Sequence, residues 1–361
     1  MAILTTAGSF DRAIDDLTSF DGGWYSQIVR HGYTYTPGAQ HDVAFFPLYP
    51  AIVWVVTRIG ISFNTASLVV SNAAFLGALL VAFQWVRRHC GARAARWTVA
   101  TLCCSPMSLF CSAAYSESLF LLLTGAALWD WERGRSRASA LWSALASATR
   151  LMGIALAPAF VLGRAWLQAV AAIVGVVAFG LYCAVRFGDP LAFIHVETTW
   201  RSSLGFDLDA WSKLLGAGLT TAPWLHAIAL ITGVVLWLTR RRAPFGLQFV
   251  LWLIVVEAER WAWNGTEYVF LFTLVAAALA LVFRRQLGMV PIAYLLAGLM
   301  LIAFAGQPVS VDRSAFGLLP VSIALALLWQ RIPALGSAAL LVMTIDLFEF
   351  SVKFAHRIFV A

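Results

Sequence analysis

The sequence predicts an all-α, polytopic transmembrane helix bundle, a single integral membrane domain over residues 1–361. Three observations carry that expectation. The chain is 61% hydrophobic and 12% charged, about half the ~25% charge of soluble domains. Its apolar runs are continuous, whereas membrane-barrel strands alternate over about ten residues. Its basic residues gather in short gaps between those runs, at 87–96, 133–137, 240–242 and 284–285, the pattern that fixes membrane orientation. That clustering, rather than the excess of 25 Lys+Arg over 18 Asp+Glu, is the informative feature of the charge. It argues against a nucleic-acid partner.

Residues 1–40 lack the basic start and apolar core of a cleavable leader. Residues 1–45 read as an external loop with interfacial helices, and 46–361 as the transmembrane bundle. In the loop, Phe10, Ile14 and Leu17 share a helical face. Asp21, Gly22 and Gly23 open a second helical pattern that Gly32 ends. "AFFPLYPAIVWVVTRIGI" is marginal for a crossing, and Pro47 and Pro50 interrupt its start. It reads as re-entrant or interfacial. Apolar segments then follow at 64–86, 97–112, 117–131, 138–149, 151–163, 165–186, 223–239, 244–259, 265–283, 288–304, 314–330 and 333–350. With the short ones taken as half-helices, the bundle has roughly 10–12 membrane helices. The five cysteines read as small buried hydrophobes.

Placing every basic cluster in the cytoplasm sends residues 1–45, "SAAYSES", 186–222, "EAERWAWNGTEY" and "GQPVSVDRS" to the other face. Residues 1–44 hold five aspartates against two arginines, so nothing there retains the segment inside. Acidic, aromatic and arginine residues converging on one face predict a site there. Asp21 reads first as an N-cap, whose carboxylate would accept backbone N–H bonds. Glu117 opens an apolar helix with Ser116 placed to cap it. Arg150 stands between apolar stretches, as an interfacial snorkel or an anion ligand. Asp189 before Pro190 reads as a turn residue, His195 and Trp200 as interfacial anchors, and Asp15 and Asp16 as a solvated helix face.

"FDGGWYSQIVRHGY" at 20–33 followed by "AFFPLYP" at 44–50 resembles the PIG-V-type mannosyltransferases, a family that includes the GPI mannosyltransferase 2 enzymes and bacterial relatives within the GT-C glycosyltransferases. The likeness continues through "SPMSLFCSAAYSESLFLLL", "ATRLMGIAL", "FGDPLAFIHVETTW" and, more weakly, "DRSAFGLLP". The resemblance implies a GT-C fold in the plasma (inner) membrane. It implies inverting transfer of a sugar, usually mannose, from a polyprenyl-phosphate donor at the non-cytoplasmic face. The acceptor is a lipid-linked, glycan or protein hydroxyl.

In that reading Asp21 is the general base, with Asp42 as the alternative. Arg150, or more weakly Arg313 and Arg201, stabilises the departing phosphate. Glu117 is a candidate for binding sugar, and Trp24, Tyr25 and Tyr49 for stacking on sugar or lipid. A divalent cation on Asp21 and Asp42 would screen a phosphate, although no ligand spacing marks one. Family members place tryptophan where this chain has Phe20, and a membrane helix ahead of the motif. Either an upstream extension supplies that helix or the chain works without it. Two other readings stand beside this one: a lipid or solute transporter or flippase, and an inactive relative acting as an assembly subunit.

Overall fold

The computed structural model describes residues 10–201, 205–239, 242–263, 266–306 and 310–358. The protein is all-α, as expected. Among the described residues the only extended pairing is an isolated bridge between Gly205 and Ala305.

Four helices come first: α1 (Phe10–Leu17), α2 (Asp21–His31), α3 (Leu48–Thr57) and α4 (Phe63–Cys104). Leaving aside the four-residue helical turns, the next four are α5 (Glu117–Glu132), α6 (Ser136–Thr149), α7 (Leu156–Leu162) and α8 (Trp166–Phe187). Then come α9 (Leu208–Thr220), α10 (Pro223–Thr239), α11 (Phe245–Ala262) and α12 (Thr266–Val282). The last four are α13 (Met289–Ala303), α14 (Val311–Phe316), α15 (Leu319–Arg331) and α16 (Pro333–Ala355).

Helices α1 and α2 fall where the sequence places them, with Gly32 ending α2 at φ 79°; the Phe10 side chain lies outside the described residues. Three helices, α4, α8 and α16, are long and apolar enough to cross a membrane. Six shorter apolar segments accompany them among the described residues. Helix α3, with ten residues, reaches only about 15 Å.

The basic gap at 87–96 stays helical on both sides of one break in α4. Arginine and alanine favour helix. Gly91, at φ 87° and ψ 167°, supplies the break, in a region few other residues enter. The expected 97–112 segment is also divided. Ser105 and Pro106 end α4, and the short helical run Pro106–Ser112 meets α5 at 98°. The loop 113–116 therefore sits at a sharp corner inside the bundle, and the site is built there.

Small residues let the helices close on one another. Gly175 of α8 packs so tightly on α6 that an added Cβ would lie 2.2 Å from the Ala148 nitrogen. Its N–H donates to Ser147 Oγ at 3.1 Å. Such close approaches suit membrane helices, which lack a hydrophobic drive to associate. Across the bundle, Trp329 of α15 donates to Thr101 of α4 at 2.9 Å. A second, smaller core (Val43, Phe46, Phe179, Cys183, Phe193 and Val196) fastens the loop before α3 to α8 and to residues 192–196.

Candidate active site

Asp21 is the first residue of α2, not its cap. Phe20 precedes the helix at φ 53°, with no side-chain capping bond. That left-handed backbone costs a non-glycine residue about 1–3 kcal/mol. The Phe20 ring packs on Phe354 at 5.2 Å. The 113–116 loop seats the α1–α2 junction: the Ala114 N–H donates to the Leu17 carbonyl at 2.9 Å, and the Asp21 N–H to the Tyr115 hydroxyl at 3.3 Å. Gly22 packs closely here, since a Cβ there would stand 3.3 Å from Ala114 Cβ, tighter than ordinary contact. Gly23 meets open space.

The carboxylate of Asp21 goes to a residue 292 positions away. Arg313 Nη1 donates to Asp21 Oδ2 at 2.8 Å. Arg313 Nε lies 3.2 Å from Glu117 Oε1, close enough to pair but poorly aligned for a hydrogen bond. Arg150 Nη1 donates to the same Glu117 oxygen and, at 3.4 Å, to Ser116 Oγ. The order is Asp21–Arg313–Glu117–Arg150, two carboxylates against two guanidiniums. Glu117 is the most buried, at 3% side-chain exposure, and Asp21 the most open, at 22%. Two aromatic faces hold the Arg313 guanidinium, Phe110 at 5.3 Å and Tyr115 at 5.4 Å. Burial opposes its charge, but Asp21 and Glu117 outweigh that and hold its pKa above the ordinary arginine value.

Local structure explains the convergence. Asp21 and Glu117 both open helices, α2 and α5, where the N-terminal dipole favours a carboxylate. Arg150 leaves the end of α6 with extended backbone. Arg313 rides on the six-residue α14. Ser116 does not cap α5 as expected; its hydroxyl instead accepts from Tyr25 at 3.0 Å and from Arg150. Arg150 turns inward to a carboxylate rather than snorkelling. Beside Arg313, Asp312 has an oxygen sealed from solvent with no donor to it, and burial pushes its carboxyl up to about 8.

The other expected residues divide. Tyr25 is buried, its ring edge-on to Phe45 and Tyr49. Tyr49 is 0% exposed and its hydroxyl pairs with Ser71 at 2.8 Å, so it offers no free face for stacking. Trp24 keeps partial exposure, stacked on Phe45 and edge-on to Trp200. Asp42 is fully buried and accepts from the Thr34 N–H at 2.8 Å and the Thr34 hydroxyl at 3.2 Å. These bonds tie down its own loop, apart from the Asp21 network. Burial raises the Asp42 pKa despite them.

Asp189 is the turn residue expected, accepting the Leu191 N–H at 3.0 Å. It also receives Tyr35 and His195. Burial pushes the Asp189 carboxyl up, but these bonds prevail and hold it below the usual range. Arg201 reaches Glu197 and the Ala305 carbonyl. Asp15 is exposed, as expected of a solvated helix face, and accepts from Asn64, whereas Asp16 is partly buried and pairs with Arg357. No group of three or more His, Cys, Asp or Glu side chains gathers as a metal site among the described residues. Sequence reasoning missed Tyr115 and Ser116 as members of the site. The signal was the polar run "YSES" set directly before an apolar helix.

Residues 5–171 match the family model described as mannosyltransferase (PIG-V). That match covers just under half of the chain. The matched half contains Asp21, Glu117 and Arg150, whereas Arg313 comes from outside it. The GPI alpha-1,6-mannosyltransferase 2 of Cricetulus griseus is 33% identical over 166 residues, covering 42% of this chain and 33% of that protein. The Homo sapiens protein of the same name is 31% identical over 167 residues, with the same two shares. The matching region thus spans about a third of these relatives' length. Among solved structures, ArnT from Cupriavidus metallidurans bound to undecaprenyl phosphate aligns with 98% of this chain and 76% of that chain. The identity is 17% and the TM-score 0.46.

Proposed function

We propose that this membrane-type helical protein is a glycosyltransferase of GT-C type, a mannosyltransferase, that moves a sugar from a polyprenyl-phosphate donor to a hydroxyl acceptor at the non-cytoplasmic face. The observation that carries the reading is the Asp21–Arg313–Glu117–Arg150 chain, in which the most exposed carboxylate is held by an arginine. The PIG-V-like match, which contains three of the four residues, supports it.

In this reading the acceptor oxygen attacks the anomeric carbon from the side opposite the phosphate. The C–O bond to the acceptor forms as the bond from sugar to phosphate oxygen breaks, and the electron pair leaves with the phosphate. The configuration inverts. Asp21 takes the acceptor's proton. Arg313 and Arg150 stabilise the charge gathering on the phosphate.

The network is neutral as it stands, so an incoming phosphate has to compete for an arginine already paired. Taking Arg313 from Asp21 both seats the donor and frees the base. Donor binding therefore precedes acceptor activation.

The test incubates membranes containing the full chain with labelled polyprenyl-phosphate mannose and acceptor lipids. A mannosylated product made by the wild type supports the reading. Movement of intact donor across the bilayer without transfer would replace it with the transporter reading. The face is checked separately: a cysteine introduced as Ala39→Cys should react with an impermeant reagent from outside, and labelling only after permeabilisation would reverse the orientation.

A further inference from the structure

A cavity of about 640 Å³ opens where the ends of α2 and α3 meet the start of α4, lined by Arg30, Trp54, Thr57, Arg58, Ser62 and Phe63 among others. Asp21 lies nine residues back along α2 from Arg30, a rise of about 14 Å, so the cavity stands apart from the Asp21–Arg313 pair. Both arginines are exposed, and no carboxylate lines the space between them. Neither makes an ion pair among the described residues. Ser62 Oγ donates to Thr65 Oγ1, and Thr57 Oγ1 donates to the Trp54 carbonyl. The guanidiniums are therefore the donors left to face the cavity. Arg58 lies over the Trp54 ring at 5.3 Å, which occupies its flat face and leaves its N–H edges open.

Arg30 is in the last turn of α2 and Arg58 follows the last residue of α3, where the helix dipole favours a cation. That preference is met equally by arginines that point apart. Two guanidiniums on one cavity with no acid between them repel, and an anion seated there removes the repulsion. Phosphate suits them, because a guanidinium can donate two parallel N–H bonds to its oxygens. A second observation points to a lipid as the source of that phosphate. Trp54, Val55 and Ile59 are exposed and share one face of α3 with Arg58. Helix α4, which starts at the cavity, is long and apolar enough to cross a membrane, so this face lies at the level where a bilayer begins. A basic notch beside an exposed apolar face matches the headgroup and chains of one lipid. The ammonium of a zwitterionic headgroup finds no carboxylate in the cavity, so the match is to a lipid of net negative charge.

We infer that Arg30 and Arg58 form a binding site for the phosphate of an anionic phospholipid, whose acyl chains lie along Trp54, Val55 and Ile59. The bound lipid ties the end of α2 to the end of α3 at the membrane boundary. Such a site exists whether or not the chain transfers sugar.

The test embeds the full chain in nanodiscs of phosphatidylcholine and phosphatidylglycerol with matched acyl chains, and reads retained lipid by native mass spectrometry. The wild type should retain phosphatidylglycerol about tenfold above phosphatidylcholine, the order that two arginines beside an anionic headgroup supply. Arg30→Gln and Arg58→Gln, at exposed positions where misfolding is not expected, should each lower that preference severalfold. The double variant should lose a phosphatidylglycerol that a control pair in the basic gap of α4, Arg93→Gln with Arg96→Gln, still keeps. Loss of the same lipid from the control pair would make the preference a general effect of net charge and overturn the inference. Equal retention of the two lipids by the folded wild type overturns it as well. Displacement of the lipid by inorganic phosphate, or by a polyprenyl phosphate at equal concentration, would give the cavity to a soluble anion or to the sugar carrier and overturn the assignment to phospholipid.

Discussion

Arg313 and Arg260 are each surrounded by carboxylates, yet the two clusters are built differently. Arg313 sits where element ends meet: the starts of α2 and α5, the end of α6, and the short α14. Arg260 sits on the flanks of two continuous helices, with partners at helical spacing. Ends bring together residues from remote parts of the chain and leave their side chains room to exchange partners. Flanks hold their groups in register, so Arg260 braces α11 against α16 through Asp346 and Glu349. The comparison predicts that changes at the first cluster alter chemistry and changes at the second alter stability.

The largest expected effect is that of Asp21→Asn, which should lower sugar transfer by about 10²–10⁴-fold, the usual worth of a general base. Membrane insertion should stay intact, because the amide still accepts from Arg313. Wild-type turnover by this variant would remove Asp21 as the base. Next is Arg260→Ala, which leaves Asp346 and Glu349 without their common partner. Denaturation in detergent should show a loss of about 3–5 kcal/mol. A loss under 1 kcal/mol would mean that Arg260 does not brace the two helices.

A third change sharpens the account of α14. Asp312 is protonated in the folded protein up to about pH 8, whereas its unfolded carboxyl ionises near the ordinary value of 3.8. Stability tied to this group is therefore full below pH 3.8 and declines as pH rises toward 8, beyond which the deficit is constant. Asp312→Asn removes the deficit. Its melting-temperature gain over wild type should grow from pH 4 to pH 8 and then level off. A gain independent of pH would show that Asp312 is not the titrating group. The smallest effect belongs to Asp42→Asn, which weakens the bonds to Thr34. It should cost about 1 kcal/mol of stability and leave transfer within twofold. A large loss of transfer at unchanged stability would return Asp42 to the role of base.

Much of the fold was legible because lipid imposes a coarse rule that the sequence obeys everywhere. The apolar runs, the break of α2 at Gly32 and the short α3 after Pro47 all follow from hydropathy and backbone preference. The site was legible only by halves. Asp21, Glu117 and Arg150 stand in motifs of the matched half, and their residue types already suggested acid–base and phosphate chemistry. Arg313 ranked as a weaker alternative because nothing local distinguishes an arginine in "DRSAF" until α14 brings it 2.8 Å from Asp21. The reading of Asp21 as a cap failed for the same reason, since a distant guanidinium outbids nearby N–H groups for a carboxylate. The Arg260 cluster went unread although Arg260, Asp346 and Glu349 are charges at the margins of apolar runs. Composition counts such charges, but only the packing of α11 on α16 pairs them.

The most direct test of the account is a structure of the full chain with a polyprenyl-phosphate sugar bound. The account predicts a phosphate oxygen within hydrogen-bond reach of Arg313, with Asp21 released from that arginine and turned toward the face of the sugar opposite the phosphate. A donor seated elsewhere, with the Asp21–Arg313 pair intact, would contradict it.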